Sequence, residues 1–599
     1  MAHRRPPGLA ALCAPLACAL LAGTAHADEP IVEIEGDLPR ELRELVVSTL
    51  EIVEQPARSR AQGRRRLERS ATAVREVLRS EGYYDADIQG SLRETARSDP
   101  EAPARLQPVL TLSPGPQYVI GEAEVAFETE IAEGEEARAQ LDLPSGSPAK
   151  AARVVAAGLR VTNWLEQHGY PEASNGDRRV VVDHDDDDLN VTYPIAPGPR
   201  VRFGEVRLTG DAKIGPGWVR MVTPFESGDI FDERELDRLT SHVVGTGVFA
   251  QAVSTLEEGG VENADGTITR NVILNVTQGD KNTVSGAVGY STTEGSGVEA
   301  IYERRNFIGY AQTLTLRAVA KTNEISLGAT YDIPYFYRVD RQFTGDVEVA
   351  REDTEAFDGE RATARALVGQ VVNERLRVGV GAGVEASQFT QNEIEREAYV
   401  ADVLGRAVYD ARDNRLSPTK GFLLTLDATP SYNFGDESAF FTRAKVGGSA
   451  YHRVSDQFVL AGRLEAGSTF GTDLDNIPFN RRFYAGGGGS VRGFAYQSIG
   501  PQDEFGEATG GRSLVAGAAE VRWRSPTLLG GNIGAAAFVD AATVAVPEIA
   551  DFREIRYGAG VGVRYYTPFA PLRADIAIPL NPRDGDEDFQ IYISIGQAF

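Results

Sequence analysis

Cysteine is almost missing from this chain. Its 599 residues include two, Cys13 and Cys18, and both fall in an N-terminal stretch, 1–27, that reads as a secretory signal. Arg4 and Arg5 supply the positive start, Leu9 to Ala22 the apolar core, and Ala25-His26-Ala27 the small-x-small cleavage site. The chain left after cleavage has no cysteine, which excludes disulfides, thiol chemistry and cysteine-ligated zinc. Histidine is scarce as well: beyond the signal only His168, His184, His242 and His452 occur, scattered, with no His-Glu-x-x-His pair. No Gly-x-Ser-x-Gly elbow is present. No enzyme is expected, and no cofactor or metal. Basic residues are outnumbered, 61 against 87 acidic, for a net charge of −26, which argues against a nucleic-acid partner that would need a basic face. Beyond the signal, no run of about 20 apolar residues exists to make a membrane helix. A secreted chain can still span a membrane as a closed barrel, because closure satisfies every strand edge.

What is abundant points that way: 63 glycines, 21 tyrosines and 25 phenylalanines suit a β-rich protein with many turns. The first half contains a repeat. Leu112-Ser113-Pro114-Gly115-Pro116, Ile195-Ala196-Pro197-Gly198-Pro199 and Val276-Thr277-Gln278-Gly279-Asp280 end alike, their glycines 83 and 81 residues apart. A short alternating strand precedes each (106–112, 190–195, 270–276). Each unit also carries a helix, over 67–78, 149–165 and 233–244, with a glycine just past it at Gly82, Gly169 and Gly247. Glycine there accepts the left-handed C-terminal cap at low cost. The coarse order in each unit is strand–helix–helix–strand–strand. This sets three small α+β domains, 28–115, 116–198 and 199–279. The run Asp183-His184-Asp185-Asp186-Asp187-Asp188 lacks calcium-loop spacing and reads as a solvated connection between strands.

From 280 to 599 helical periodicity vanishes and two-residue alternation takes over. Arg317, Arg463, Arg522, Arg524 and Arg564 all fall on one parity of their strands, opposite apolar neighbours. A polar lumen inside an apolar lipid belt demands that arrangement. Roughly 20 residues per strand with its turn gives a 16-stranded antiparallel barrel, with fourteen or eighteen strands also compatible. The chain ends Phe589-Gln590-Ile591-Tyr592-Ile593-Ser594-Ile595-Gly596-Gln597-Ala598-Phe599, apolar at every odd position to Ile595 and aromatic at its last residue.

Between two alternating segments stands Ala485-Gly486-Gly487-Gly488-Gly489-Ser490-Val491-Arg492-Gly493-Phe494. Four consecutive glycines bar a regular helix or strand interior, so one cation sits on a flexible loop. With no Gly-Lys-Ser/Thr ending and no helix after it, a phosphate loop is disfavoured. Together with Asn306-Phe307-Ile308-Gly309, the segment 409–421 and Ala537-Phe538-Val539-Asp540, this loop resembles the BamA/TamA superfamily of outer-membrane insertion and translocation proteins, whose repeats are periplasmic POTRA domains.

That resemblance covers essentially the whole chain after the signal. Within the superfamily three repeats look most like the TamA branch, since BamA carries five and two-partner-secretion transporters two. It implies that the loop folds into the lumen, where Arg492 of Val491-Arg492-Gly493-Phe494 meets Asp540 on the wall. If that pairing is what matters, Arg492→Glu cripples the protein and Asp540→Arg partly restores it. It also implies a weak lateral seam between the first and last strands, here Gly286 and Gly289 against Phe589, Ile591, Ile593, Ile595 and Phe599. The implied activity is assembly or secretion of autotransporter-type and other outer-membrane clients, with a TamB-like inner-membrane-anchored partner on the POTRA domains and outer-membrane lipid around the barrel. A two-partner-secretion pore and a general BamA-like insertase are the alternatives.

Overall fold

The structure, a computed structural model, describes residues 32–50, 57, 59–95, 105–211, 213–292, 295–567, 571–595 and 597. The stretch 1–27, expected from the sequence to be a secretory signal, and Phe599 lie outside these residues. The chain divides into two compact units, one running to Val201 and taking in Ile230–Asp232, the other holding Arg202–Asp229 and the chain from Glu233 on.

The first unit contains two α+β sheets. In one, β1 (Glu33–Glu35), α1 (Arg40–Ser48), α2 (Arg60–Ser80), β2 (Asp87–Thr95) and β3 (Arg105–Ser113) follow in order, with β3 central, parallel to β1 and antiparallel to β2. Ser59 caps α2, its hydroxyl accepting from the Gln62 N–H at 3.2 Å. The helix buries Leu67, Val74 and Leu78 against Leu110 and Leu112 of β3. The next sheet comes from β4 (Val119–Phe127), α3 (Gly134–Ala139), α4 (Ala151–Glu166), β5 (Ser174–Asn175), β6 (Arg179–Asp183) and β7 (Asp188–Ala196), with β7 central. The acidic run is the β6–β7 hairpin turn, where Asp183 Oδ1 accepts from the Asp185 N–H at 2.9 Å.

The second unit begins with a third sheet, built from β8 (Val201–Gly210), α5 (Pro216–Val222), α6 (Glu233–Val244), β9 (Phe249–Leu256), β10 (Val261–Glu262) and β11 (Ile268–Gln278), again with the last strand central. Phe203 stacks on Phe225 (3.9 Å between centroids) in its interior. In the tip that joins β10 to β11, Asp265 accepts from the Thr267 hydroxyl (2.6 Å) and N–H (3.0 Å) and from Arg202 (3.1 Å). These bonds, the Thr267 ones foremost, hold its carboxyl down at about 2.

Sixteen antiparallel strands follow in sequence order and close into a barrel, the first Asn282–Ser291 and the sixteenth Gln590–Ile595. Side chains alternate as the sequence reading requires. Arg317 turns inward to Glu299 (2.6 Å), and Arg522 and Arg564 are buried in the interior, while Leu316, Val298 and Leu464 stand outward and exposed. Asn306-Phe307-Ile308-Gly309 forms the turn after the second barrel strand, Gly295–Arg305, and receives the third α+β sheet. There the Gly215 N–H donates to the Gly309 carbonyl (2.9 Å) and Asn306 Nδ2 to the Lys213 carbonyl (3.1 Å).

Candidate functional site: a docked lumen loop beside a short seam

The eleventh barrel strand, Phe458–Phe470, and the twelfth, Ser513–Arg524, are joined by the long segment 471–512. Its apolar residues Phe483, Ala485, Val491, Phe494 and Ile499 pack on Leu514 and Ala516 of the twelfth strand and on Ala542 and Val544 of the thirteenth, Ile533–Ala545. The loop is thus laid along the inner wall by ordinary apolar burial. Its four glycines let the backbone turn sharply between those anchors.

Arg492 is carried to the wall by Val491 and Phe494 and is 2% exposed; Asp540 is 1% exposed. Arg492 Nε and Nη2 donate to Asp540 Oδ2 and Oδ1 at 2.7 and 2.9 Å, a two-pronged pairing, and the Arg492 N–H adds a third bond at 3.1 Å. Two further carboxylates share the guanidinium: Glu520 of the twelfth strand at 3.1 Å and Asp575 of the fifteenth, Pro571–Pro579, at 3.4 Å. Those carboxylates are in turn held by other cations. Glu520 accepts from Arg522 at 2.8 Å, and Asp575 pairs with Arg564 and lies 3.8 Å from Arg573. The face of Phe538 lies 3.3 Å from the Arg492 guanidinium carbon. A buried guanidinium needs this much compensation, since removing one partner of a buried pair costs about 3–5 kcal/mol.

The network alters what a charge swap does. In an Arg492→Glu, Asp540→Arg double variant the new glutamate still faces Glu520 and Asp575, so restoration is not expected from exchange at these two positions alone. Close approach of the loop also depends on Gly558 of the fourteenth strand, Arg556–Tyr566: a Cβ there would lie 1.9 Å from the Arg492 carbonyl oxygen.

A second anchor holds the start of the loop to the opposite part of the wall. Arg481 donates to Glu385 (2.8 Å) and Asp402 (3.0 Å), on the seventh strand Leu376–Gln391 and the eighth strand Ile394–Asp410, and Asn480 reaches Glu385 at 2.7 Å. Arg482 donates to Gln391 at 3.1 Å and to the Thr509 carbonyl at 2.9 Å. The loop is clamped at both ends of its inward excursion.

Between the sixteenth and first strands the wall closes on little. Among the described residues the sixteenth and first strands pair only at Tyr290↔Ile593 and Ser291↔Tyr592, whereas the first and second strands pair at ten positions. The Thr292 N–H adds a bond to the Ile591 carbonyl at 3.0 Å, and the Thr292 hydroxyl reaches Gln590. Of the expected seam residues, Gly289 adjoins the last strand, its Cβ position 3.7 Å from the Ile593 carbonyl oxygen. Ile593 is paired there, Ile591 takes the Thr292 N–H, and Ile593 and Ile595 face outward and exposed. The remaining three stand as follows. Gly286 pairs with Ala300 of the second strand, and among the described residues it has no partner on the last. Phe589 precedes the last strand, which starts at Gln590. Phe599 is outside the described residues. Glu520, Asp575, Arg481, Glu385, Asp402 and Gly558 were not singled out from sequence. Glu520 carried the one usable signal, lying two residues from Arg522 and so on the same face.

Residues 306–599 match the Omp85 superfamily domain, and residues 31–108 match the POTRA domain described as TamA domain 1. The outer membrane protein assembly factor BamA of Nitratidesulfovibrio vulgaris is 25% identical over 566 residues, spanning 89% of this chain and 68% of its own length. The BamA of Neorickettsia risticii is 22% identical over 570 residues, 90% and 73% respectively. In fold, the crystal structure of BamA from Haemophilus ducreyi lacking POTRA domains 1–3 superposes with a TM-score of 0.68 at 19% identity, covering 80% of this chain and 100% of that one. The chain is an outer-membrane β-barrel preceded by POTRA-type α+β domains, and over residues 306–599 it is similar to the Omp85 superfamily domain.

Proposed function

We propose that this protein inserts or translocates client proteins at the outer membrane by lateral strand pairing, in the manner of the TamA branch. The observation that carries this reading is the seam, which among the described residues has two paired positions where the neighbouring interface has ten. Each net hydrogen bond contributes about 1 kcal/mol, so this is where the wall separates most cheaply. Separation leaves the first strand with a row of unpaired N–H and C=O groups, to which a client strand adds by β-augmentation. The relatives' name, outer membrane protein assembly factor, supports the insertion chemistry. The TamA domain 1 match at 31–108 and the three α+β sheets support the TamA branch over a general insertase. In that branch the clients are autotransporter-type and other β-barrel proteins, and the POTRA domains face a TamB-like partner anchored in the inner membrane. The driving force is client strand pairing and burial in lipid, with no nucleotide.

The test is a tether. Cysteines at Tyr290 and Ile593, paired across the seam, close it by oxidation in a mature chain that has no other cysteine. Insertion of a client barrel into vesicles is expected to fall on oxidation and return on reduction. A control pair at Leu327 and Val349, paired on adjacent strands elsewhere in the wall, should change nothing. Undiminished insertion by the seam-locked protein sinks the reading.

A further inference from the structure

The lumen loop grips the last strand of the seam. Tyr592, on the last strand and 3% exposed, accepts a hydrogen bond on its hydroxyl from the Gly493 N–H at 3.1 Å. Its ring lies so close to Gly488 that a Cβ there would sit 3.0 Å from Cδ1. The same ring packs with Phe538 and Ala577, and Phe538 is the aromatic face beneath the Arg492 guanidinium. Tyr592 also stands opposite Asp575 in the strand ladder, and Asp575 is one of the carboxylates that hold Arg492. Gly488 and Gly489 are separated from Ala287 and Gly289 by a cavity of about 440 Å³, which Arg573, Tyr592 and Ser594 line from the other side.

We propose that Tyr592 is a positioning residue that fastens the last strand to the docked loop, so that opening of the seam moves the first strand away while the last strand stays with the loop. This rests on the lateral-pairing reading for its purpose, though not for its physics. While Arg492 is seated, Tyr592 is held by the same piece of backbone, and the closing strand is braced from inside. Release of the loop tip frees the last strand as well. The state of the loop therefore sets which edge of the seam is rigid and which is available.

Hydrogen exchange of the full chain in lipid nanodiscs, without any client, tests this. In the unmodified protein, amides of 590–595 are expected to exchange more slowly than those of 282–289, which have no partner on the last strand among the described residues. Tyr592→Phe keeps the ring and removes the acceptor. It should speed exchange in 590–595 and in the 485–500 segment about fivefold, the factor that one net hydrogen bond carries. Asp540→Asn, which unseats the loop, should speed 590–595 too, and by less when combined with Tyr592→Phe than when alone. Thermal gel shift of the barrel checks that the conservative variant is folded. The proposal is overturned if Tyr592→Phe leaves 590–595 unchanged, or if Asp540→Asn loosens 485–500 while 590–595 stays as it was. Because no client is present, failure here leaves the tether test standing, and failure of the tether test leaves this coupling standing.

Discussion

Replacing Asp540 by asparagine keeps the side-chain volume and removes one charge from a buried network. In the native wall Asp540 accepts three hydrogen bonds from Arg492, at 2.7, 2.9 and 3.1 Å. Asparagine offers one acceptor oxygen, and its amide N–H groups would face guanidinium N–H groups. Breaking a buried pair costs about 3–5 kcal/mol when the remaining charge is left alone. Here Glu520 and Asp575 still face Arg492, which puts the cost near the lower end, about 3 kcal/mol. That is roughly a 150-fold shift from seated toward unseated loop, at about 1.4 kcal/mol per factor of ten. Hydrogen exchange of the 485–500 segment reads this equilibrium directly, because the Arg492 and Gly493 amides donate to Asp540 and Tyr592 only when the loop is seated. Exchange there should rise about a hundredfold, with a segment of β3 as the unaffected internal reference. A rise of less than about threefold in a folded barrel would mean that apolar burial alone seats the loop and that the ionic network is incidental.

Three further outcomes follow from the same geometry. Gly558→Ala forces a Cβ onto the Arg492 carbonyl and should unseat the tip, whereas Gly489→Ala, whose Cβ meets nothing within 4 Å, should leave exchange of 485–500 unchanged. Arg481→Ala leaves Glu385 and Asp402 facing each other across adjacent strands, at a cost of about 3–5 kcal/mol. Proteolysis should then appear at 474–484 while the tip stays protected, since the two anchors stand on different strands. In the third α+β sheet, the depressed Asp265 carboxyl contributes stability that is complete above its ordinary value of 3.8 and is lost as pH falls through about 2. Pepsin cleavage at the β10–β11 tip, normalised to an unfolded peptide, should rise between pH 4 and pH 2, and Asp265→Asn should remove that rise.

The repeats were legible because each unit writes its corners in glycine. Gly82, Gly169 and Gly247 end helices with φ of +90°, +109° and +70°, a conformation few other residues accept. Helix α6 runs Glu233–Val244, as its apolar spacing predicts. The two-residue strands β5 and β10 were not legible, since two residues cannot display alternation. In the barrel, parity identified the inward arginines but not their partners. Arg492 meets Glu520 and Asp575, and Gly493 meets Tyr592, at separations of 28, 83 and 99 residues, distances set by strand register that no local pattern encodes. Gly558 is one of 63 glycines, and only the approach of a backbone from another part of the chain distinguishes it. The pairing with Asp540 was expected from the family resemblance; that it is one member of a network was not.

A closed barrel has no edge to offer, and opening one at an arbitrary interface would cost an entire ladder of backbone hydrogen bonds. This chain concentrates the weakness in one place and the bracing in another. Among the described residues the ladder between the seventh and eighth strands pairs sixteen positions, while the seam pairs two. The ionic network that seats the loop spans the twelfth, thirteenth and fifteenth strands, with Gly558 admitting the backbone at the fourteenth and Tyr592 reaching it from the sixteenth. Every strand from the twelfth to the last is therefore tied to one loop on one side of the seam. The first strand lies beyond it, across the cavity from Gly488 and Gly489. A wall stiffened on one side of a weak joint opens at that joint and moves on the unstiffened side. On the lateral-pairing function proposed above, the edge so exposed is the backbone of Asn282–Ser291, which makes the sequence of that strand, rather than the loop motif, the place where client preference is to be sought.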